Sequence, residues 1–173
     1  MTAAGVLRGV RLGVDVGKAR VGLAAADPDG ILATPVTTLK RDAKKGFDQR
    51  IICKEALQRD AVVVYVGHPV NLQGRPTAST EDAVHYAEQL AERLVREGSA
   101  AQVRLVDERL STVTAHQQLR EAGRSTRDHR SVVDQAAAVQ ILQQALDMQQ
   151  SQHKDVGRLV GVPAEGQKDS PSD

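Results

Sequence analysis

One apolar run, AVVVYV at residues 61–66, limits the folds open to this chain. Six consecutive apolar side chains without polar alternation predict a strand covered on both faces, as in a sheet that lies between two layers of helices. Three further strands are predicted before it, at residues 8–16, 20–26 and 31–39, and one after it, at residues 102–106. Helical patterns with their start and stop signals cover residues 46–59, 80–97, 111–121 and 131–148.

This order of elements predicts an α/β fold. The first three strands are joined by short turns and form an antiparallel meander, and two strand–helix crossovers follow. We therefore expect a five-stranded mixed sheet with helices on both faces. Residues 1–150 are assigned to this one domain. Residues 151–173 lack periodicity and are rich in Gly, Ser, Lys, Asp and Pro, so we expect a disordered tail there.

Composition narrows the setting and the partners. No apolar run is long enough to span a bilayer, and the N-terminus lacks the apolar core of a signal peptide, so a cytoplasmic protein without membrane contact is expected. The formal net charge is only +1, so a nucleic acid would have to be held by local basic clusters, at residues 40–45 or 124–130. The first cluster reads most simply as a solvated face. Aromatic residues make up 2% of the chain, which argues against base-stacking platforms.

Cys53 is the only cysteine, so no intramolecular disulfide can form. Its position in a predicted helix beside apolar residues favours a core role. If its thiol were exposed instead, it could cross-link a homodimer under oxidation.

Three acidic residues stand where strands end or where an apolar helix begins. Asp15 lies in the first strand, Glu108 follows the fifth strand directly after Asp107, and Asp134 lies in the last helix. If the first and fifth strands lie near each other under that helix, these carboxylates can converge. Each also has an ordinary explanation: backbone hydrogen bonds for Asp15, solvent or a neighbouring arginine for Glu108, and helix capping for Asp134.

Crowded carboxylates repel each other, and a divalent cation removes that cost. Mg²⁺ takes hard oxygen ligands and keeps water and phosphate oxygens in its shell. Two such ions about 3.5–4 Å apart can activate a water and stabilise the leaving oxygen of a phosphodiester. A metal-ligand role would explain why a charged residue stands in the first strand.

Four motifs carry a family resemblance: GVDVGKARVGLA, VVYVGHPVNLQGRPT, VDERLSTVTA and VVDQAAAVQIL. Together they resemble the YqgF family of Holliday-junction-resolvase-like nucleases, also described as nucleases for the precursor of 16S ribosomal RNA. The resemblance covers residues 8–147. It implies an RNase H-like fold and an endonuclease that needs Mg²⁺ or Mn²⁺, with Asp15, Glu108 and Asp134 as catalytic metal ligands. Its expected reaction is processing of the 5′ end of pre-16S rRNA, with cleavage of four-way DNA junctions as the alternative.

The sequence departs from related proteins at two places. His68 stands where relatives often carry leucine, and a lone histidine there is expected to be a hydrogen-bonded loop residue. Ser131 stands where related junction resolvases carry a further acid one helical turn before the last one.

Residues that could hold the nucleic-acid backbone lie in the same motifs and just before the last helix. A glycine turn allows close approach to a phosphate, basic side chains neutralise it, and helix N-termini favour anions. The set comprises Gly17, Lys18, Arg20, Asn71, Arg75, Arg109, Ser111, Thr112, Arg127 and Arg130.

Two other functions fit parts of the sequence. RNase H-like domains also serve as nucleic-acid-binding modules without catalysis, although such a module has no need of three acids. The pattern D-x-G-x-x-x-x-G also resembles the phosphate loop of actin-like ATPases. Those enzymes close two domains around the nucleotide, and a chain of 173 residues supplies one.

Overall fold

A computed structural model of the protein describes residues 8–69, 73, 75–107 and 126–160, with residues 126–134 described by their helical backbone alone. The strands are β1 (Arg11–Val16), β2 (Arg20–Ala26), β3 (Ala33–Lys40), β4 (Val63–His68), β5 (Gln102–Asp107) and β6 (Arg158–Leu159). The helices are α1 (Phe47–Gln58), α2 (Ala78–Arg96) and α3 (Thr126–Gln152). The predicted helix at 111–121 lies outside the described residues. None of the helices in the described part of the chain has the length and apolar character that a bilayer span requires.

The strands form one mixed sheet in the order β3-β2-β1-β4-β5-β6. The meander of β1, β2 and β3 is antiparallel, and β4 and β5 extend it in parallel with β1. This agrees with the predicted α/β architecture, except that the sheet has six strands where five were predicted. β4 separates β1 from β5, so the two strands predicted to lie near each other are next-but-one neighbours.

Alternation along the strands sends side chains into two apolar layers. Leu12 and Val14 of β1 belong to the layer covered by α1 and α2, whereas Gly13 meets α3 on the opposite face. The second layer is formed by β-strand residues together with Ala138, Leu142 and other residues of α3. The two-sided cover predicted from the AVVVYV run is confirmed, because Val64 and Val66 face the first layer while Val63 and Tyr65 face the second.

Residues 151–160 are ordered, unlike the disordered tail expected from residue 151 onward. α3 continues to Gln152, and β6 pairs antiparallel with β5. Asp155 then forms an ion pair with Arg11, with Nη2 and Oδ1 at 2.9 Å, although the two residues are 144 positions apart. Residues 161–173 lie outside the described residues.

Cys53 lies on the side of α1 that packs in the core against the sheet, and none of its surface is exposed. Burial raises the pKa of its thiol to about 12. The predicted core role is confirmed, and the exposed thiol that a cross-link through Cys53 would need is not found in the folded chain. A homodimer formed by other contacts stays a prediction.

Candidate functional site

Asp15 is the second-last residue of β1 and points to the side of the sheet that α3 covers. Residues two apart in a strand share a face, and Gly13 meets α3: a Cβ there would be 2.7 Å from Leu142 Cβ and 2.8 Å from the carbonyl oxygen of Ala138. Asp15 is partly buried. The strand therefore carries its one carboxylate towards the helix that contains Asp134.

Glycine flanks Asp15 on both neighbouring strands. Gly22 of β2 is its direct partner in the antiparallel register. On the other side Val14 pairs with Val66, so the next step along the same register sets Asp15 beside Gly67 of β4. Directly paired residues share a face of the sheet. At the level of Asp15, neither adjacent strand therefore carries a side chain on the α3 side of the sheet.

β5 reaches the same edge of the sheet but ends on a residue of the opposite face. Gly67 pairs with Val106, which packs in the α3 layer, and His68 pairs with Asp107. By alternation Asp107 belongs to the other face, in the row of Val103 and Leu105. Asp107 is therefore not in the row of Asp15. Glu108 lies outside the described residues.

α3 runs antiparallel to β1. Residues near its end approach the start of β1 and the β2–β3 turn: Gln149 is bonded to Tyr65, and Gln150 donates to the carbonyl of Gly30. Earlier in the helix, Ala138 and Leu142 lie over Gly13. Asp134 is in the described backbone of α3, one turn before Ala138.

The turn between β1 and β2 is closed by the amide of Gly17, which donates to the carbonyl of Arg20 at 2.9 Å. A Cβ on Gly17 would lie 2.8 Å from that same carbonyl oxygen, so the turn requires glycine. Lys18 is exposed at its tip, and Arg20 lies at the start of β2 in the row of Gly22, the face that carries Asp15.

Arg41 holds this turn from the outside, a role that could not be predicted from its place in a basic cluster. Its Nη1 donates to the Gly17 carbonyl at 2.8 Å, and its guanidinium forms two bonds with Asp82 of α2, at 3.0 and 2.8 Å. It also lies 4.9 Å from the ring centre of Tyr86. The hydrogen bond to Asp82 raises the pKa of Arg41, and the same bond lowers the pKa of Asp82.

His68 ends β4 rather than standing in a loop, and it is partly buried beside Asp107. Burial, followed by the charge of Arg158, lowers its pKa below 6.5, although Asp107 opposes the shift. His68 is therefore mainly neutral near pH 7. It belongs to the face opposite Asp15.

The structure describes only part of the predicted site. Arg75 is exposed ahead of α2. Asn71, Glu108, Arg109, Ser111 and Thr112 lie outside the described residues, and Asp134, Arg127 and Arg130 are described by their backbone in α3 only. Within the described residues no three histidine, cysteine or carboxylate side chains cluster as a metal site. Asp15 is the one predicted ligand whose side chain is among them.

The mixed sheet with helices on both faces is the RNase H-like fold of the RuvC resolvases. The structure matches "T. thermophilus RuvC in complex with Holliday junction substrate" with a TM-score of 0.53, covering 87% of this chain and 99% of that one at 13% identity. Among curated relatives, a "Putative pre-16S rRNA nuclease" of Clavibacter sepedonicus is 49% identical over 88% of this chain and 91% of its own length. The protein of the same description from Mycobacterium tuberculosis is 51% identical over 81% of this chain and 79% of its own length.

The family model described as "RuvX: Holliday junction resolvase" matches residues 9–148. The chain belongs to this family, and the resemblance found in its four motifs is confirmed.

Proposed function

We propose that this protein is a divalent-metal-dependent endonuclease that processes pre-16S rRNA in the cytoplasm, with Asp15, Glu108 and Asp134 as its metal ligands. The observation that carries the proposal is the place of Asp15: a carboxylate on the α3 side of the sheet, between two glycines, under the helix that contains Asp134. Family membership and the described relatives support the reaction class.

The register between β1 and α3 supports the convergence of Asp15 and Asp134. Two residues along a strand advance about 6.6–6.8 Å, and one helical turn advances about 5.4 Å. Ala138 and Leu142 lie over Gly13. Because α3 is antiparallel to β1, the step from Gly13 to Asp15 corresponds to the step from Ala138 back to Asp134.

Strand alternation favours Glu108 over Asp107 as the third ligand. Val106 packs on the α3 side and Asp107 belongs to the opposite side. If the alternation continues for one residue, Glu108 returns to the face of Asp15. β1 and β5 are two strand spacings apart, about 9.5 Å. The residues of β4 and β5 level with Asp15 are Gly67 and Val106, so Glu108 follows two residues, about 6.6 Å, further along. This gap can be bridged by two acidic side chains that share metal ions.

The donor set fits a hard cation. Three carboxylates are the ligands that Mg²⁺ or Mn²⁺ prefers, and such an ion supplies water activation and stabilisation of the leaving oxygen when bound. The protein's own part is to hold the acids on a rigid sheet and helix. The glycine turn after β1 leaves its tip, with Lys18, open to solvent for a phosphate of the substrate. The remaining predicted binding residues, including Arg20, Arg127 and Arg130, are proposed to hold the backbone around it.

The test compares acid-to-amide variants, each of which keeps the size of the side chain and removes its charge. Asp15→Asn should lose cleavage of pre-16S rRNA while keeping RNA affinity, because it removes a ligand and leaves the fold intact. Asp107→Asn is the control and should retain cleavage. Glu108→Gln should behave like Asp15→Asn. If Asp15→Asn still cleaves with Mg²⁺ or Mn²⁺, the metal-ligand assignment is wrong; if Asp107→Asn is the inactive one, the alternation argument is wrong.

A second substrate is favoured by the fold. The RuvC chain that this structure matches is bound to a Holliday junction, and the family model carries the description of a Holliday junction resolvase. Parallel incubation of wild-type protein with pre-16S rRNA and with a four-way DNA junction, each with Mg²⁺, Mn²⁺ or EDTA, separates the two. Binding to either without metal-dependent cleavage would identify a non-catalytic module.

A further inference from the structure

A cavity of about 440 Å³ lies between α2 and the loop that joins β3 to α1, on the face of the sheet opposite α3. Its walls come from the loop residues 41–46, from the first turn of α1 and from one side of α2, between Asp82 and Arg96. Nothing in the site around Asp15 uses these residues except Arg41.

The carboxylates that line this cavity are mostly occupied by donors of the protein itself. Asp42 accepts from the amides of Lys45 and Phe47, at 3.0 and 3.2 Å, and these backbone bonds lower its pKa. Both oxygens of the buried Asp48 are engaged, by the hydroxyl of Tyr86 at 2.8 Å and by the amide of Asp42 at 3.3 Å. Arg41 takes Asp82. Among the described residues Glu92 is the lining carboxylate left without such a partner.

The lining cations are not occupied in this way. Within the described part of the chain Lys44, Lys45 and Arg96 form no ion pair, and all three are exposed. Arg93 donates to the amide oxygen of Gln49 at 3.4 Å and to no described carboxylate. The cavity therefore presents four positive groups that touch no described carboxylate. With Arg41 they make five lining cations against the four lining carboxylates, an excess of one positive charge.

The walls are held in place before any ligand arrives. Gly46 has a φ of +69°, and a Cβ there would lie 2.5 Å from Nη2 of Arg93, so loop and guanidinium are in direct contact. Arg41 is fixed by Asp82 and by the ring of Tyr86. Arg41 and Arg93 are thus held in position in advance, which lowers the ordering cost of binding a phosphate beside them.

Arg41 connects this cavity to the turn beside Asp15. Its side chain donates to the Gly17 carbonyl at 2.8 Å and its amide donates to the Ala19 carbonyl at 2.9 Å. The exposed Lys18 lies at the tip of that turn. An RNA strand held at Asp15 on the α3 side would reach Lys44 and Lys45 by crossing the end of the sheet at this turn.

We propose that this cavity binds the sugar–phosphate backbone of the RNA substrate next to the phosphodiester held at Asp15. The inference rests on the proposed nuclease function and adds a second contact surface to it, formed by the four cations of α2 and the β3–α1 loop. Recognition there is mainly by charge, because the lining supplies several cations. Of its two ring side chains, Tyr86 is buried and His85 is exposed.

The test measures RNA binding in the Asp15→Asn protein, where cleavage does not interfere. A labelled single-stranded RNA oligomer is titrated by fluorescence anisotropy at several salt concentrations. The logarithm of the binding constant falls linearly with the logarithm of the salt concentration. Each lost phosphate contact reduces the steepness of this fall by about 0.7 for a single strand. Lys44→Gln with Lys45→Gln should lower it by about 1.4, and adding Arg96→Gln should lower it further. The matched control is Arg50→Gln with Lys54→Gln, two exposed cations of α1 outside the cavity.

An unchanged slope in the Lys44 and Lys45 variant, or an equal fall in the control, would overturn the proposal. The proposal would also be overturned if inorganic phosphate or a mononucleotide fully displaced the RNA from the four cations, because the cavity would then be a site for free anions. Cleavage by the Asp15→Asn protein would refute the proposed function separately, because the slope measurement does not depend on catalysis.

Discussion

Removing Asp155 should destabilise the protein far more than removing an exposed partner of the same kind. The Arg11 side chain is 1% exposed and Asp155 13%. Arg11 donates to Asp155 through both Nε, at 3.2 Å, and Nη2, at 2.9 Å. Asp155→Ala leaves this guanidinium buried with the Gly9 carbonyl, at 3.0 Å, as a remaining acceptor, and it takes away one of the two partners of the Tyr65 hydroxyl.

Breaking a buried pair by removing one partner costs about 3–5 kcal/mol. We expect the lower end, about 3 kcal/mol, because Asp155 is not fully buried and Arg11 keeps the Gly9 carbonyl as an acceptor. For a chain of this size that corresponds to a fall in Tm of about 6–12 °C. Urea unfolding followed by circular dichroism gives the free energy of unfolding, and calorimetry gives Tm.

The matched control is Asp29→Ala. Asp29 pairs with Arg8 at 2.8 Å, but the two side chains are 61% and 58% exposed, so its loss should cost about 0.5 kcal/mol. Equal losses in the two variants would refute the argument from burial. A double variant, Arg11→Met with Asp155→Leu, should recover much of the stability, since no charge is then left in the core.

Three further outcomes follow from the packing. Gly13→Ala should cost about 1–3 kcal/mol by pushing α3 off the sheet and should reduce cleavage. Gly98→Ala adds a Cβ that meets nothing within 4 Å but stands at a φ of +87°, so it should cost about 1–2 kcal/mol through backbone strain and leave cleavage unchanged. It therefore separates lost stability from a displaced α3, and equal cleavage in both variants would contradict this. Asp27 has a pKa below 3.8 because the amide of Leu32 and other amides of the β2–β3 turn donate to it, so its ionised form stabilises the fold above that pH. The Tm difference between wild type and Asp27→Ala should therefore shrink as the pH falls below about 4. An undiminished difference there would disprove the link. A maleimide should label Cys53 only in denaturant, because the thiol is buried with a pKa of about 12; rapid labelling of the folded protein would show that the helix opens.

Most of the sheet and the helices could be predicted because their signals are local. Glycine turns delimit β1 and β2, and the apolar run of β4 specifies a strand covered on both sides. The pairing of Arg11 with Asp155 could not be predicted, because no local pattern marks a partner 144 residues away. β6 was missed because its two residues are too few for a periodic pattern.

The candidate site was predictable in composition but not in detail. Asp15 was found because a charge in an apolar strand needs an explanation. The role of Arg41 was missed because it depends on three separate elements meeting at one guanidinium: the β1–β2 turn, the β3–α1 loop and α2. The sequence shows only a basic cluster at that position, and its usual interpretation is a solvated face.

The short strand β6 has a practical consequence for anyone who shortens this chain. Truncation after Gln152 would delete β6 and uncover the part of the β5 edge with which it pairs, at Arg104 and Leu105. An uncovered strand edge is a template for pairing with other molecules. Truncated variants of the protein should therefore aggregate in concentrated solution unless the residues through Val160 are kept.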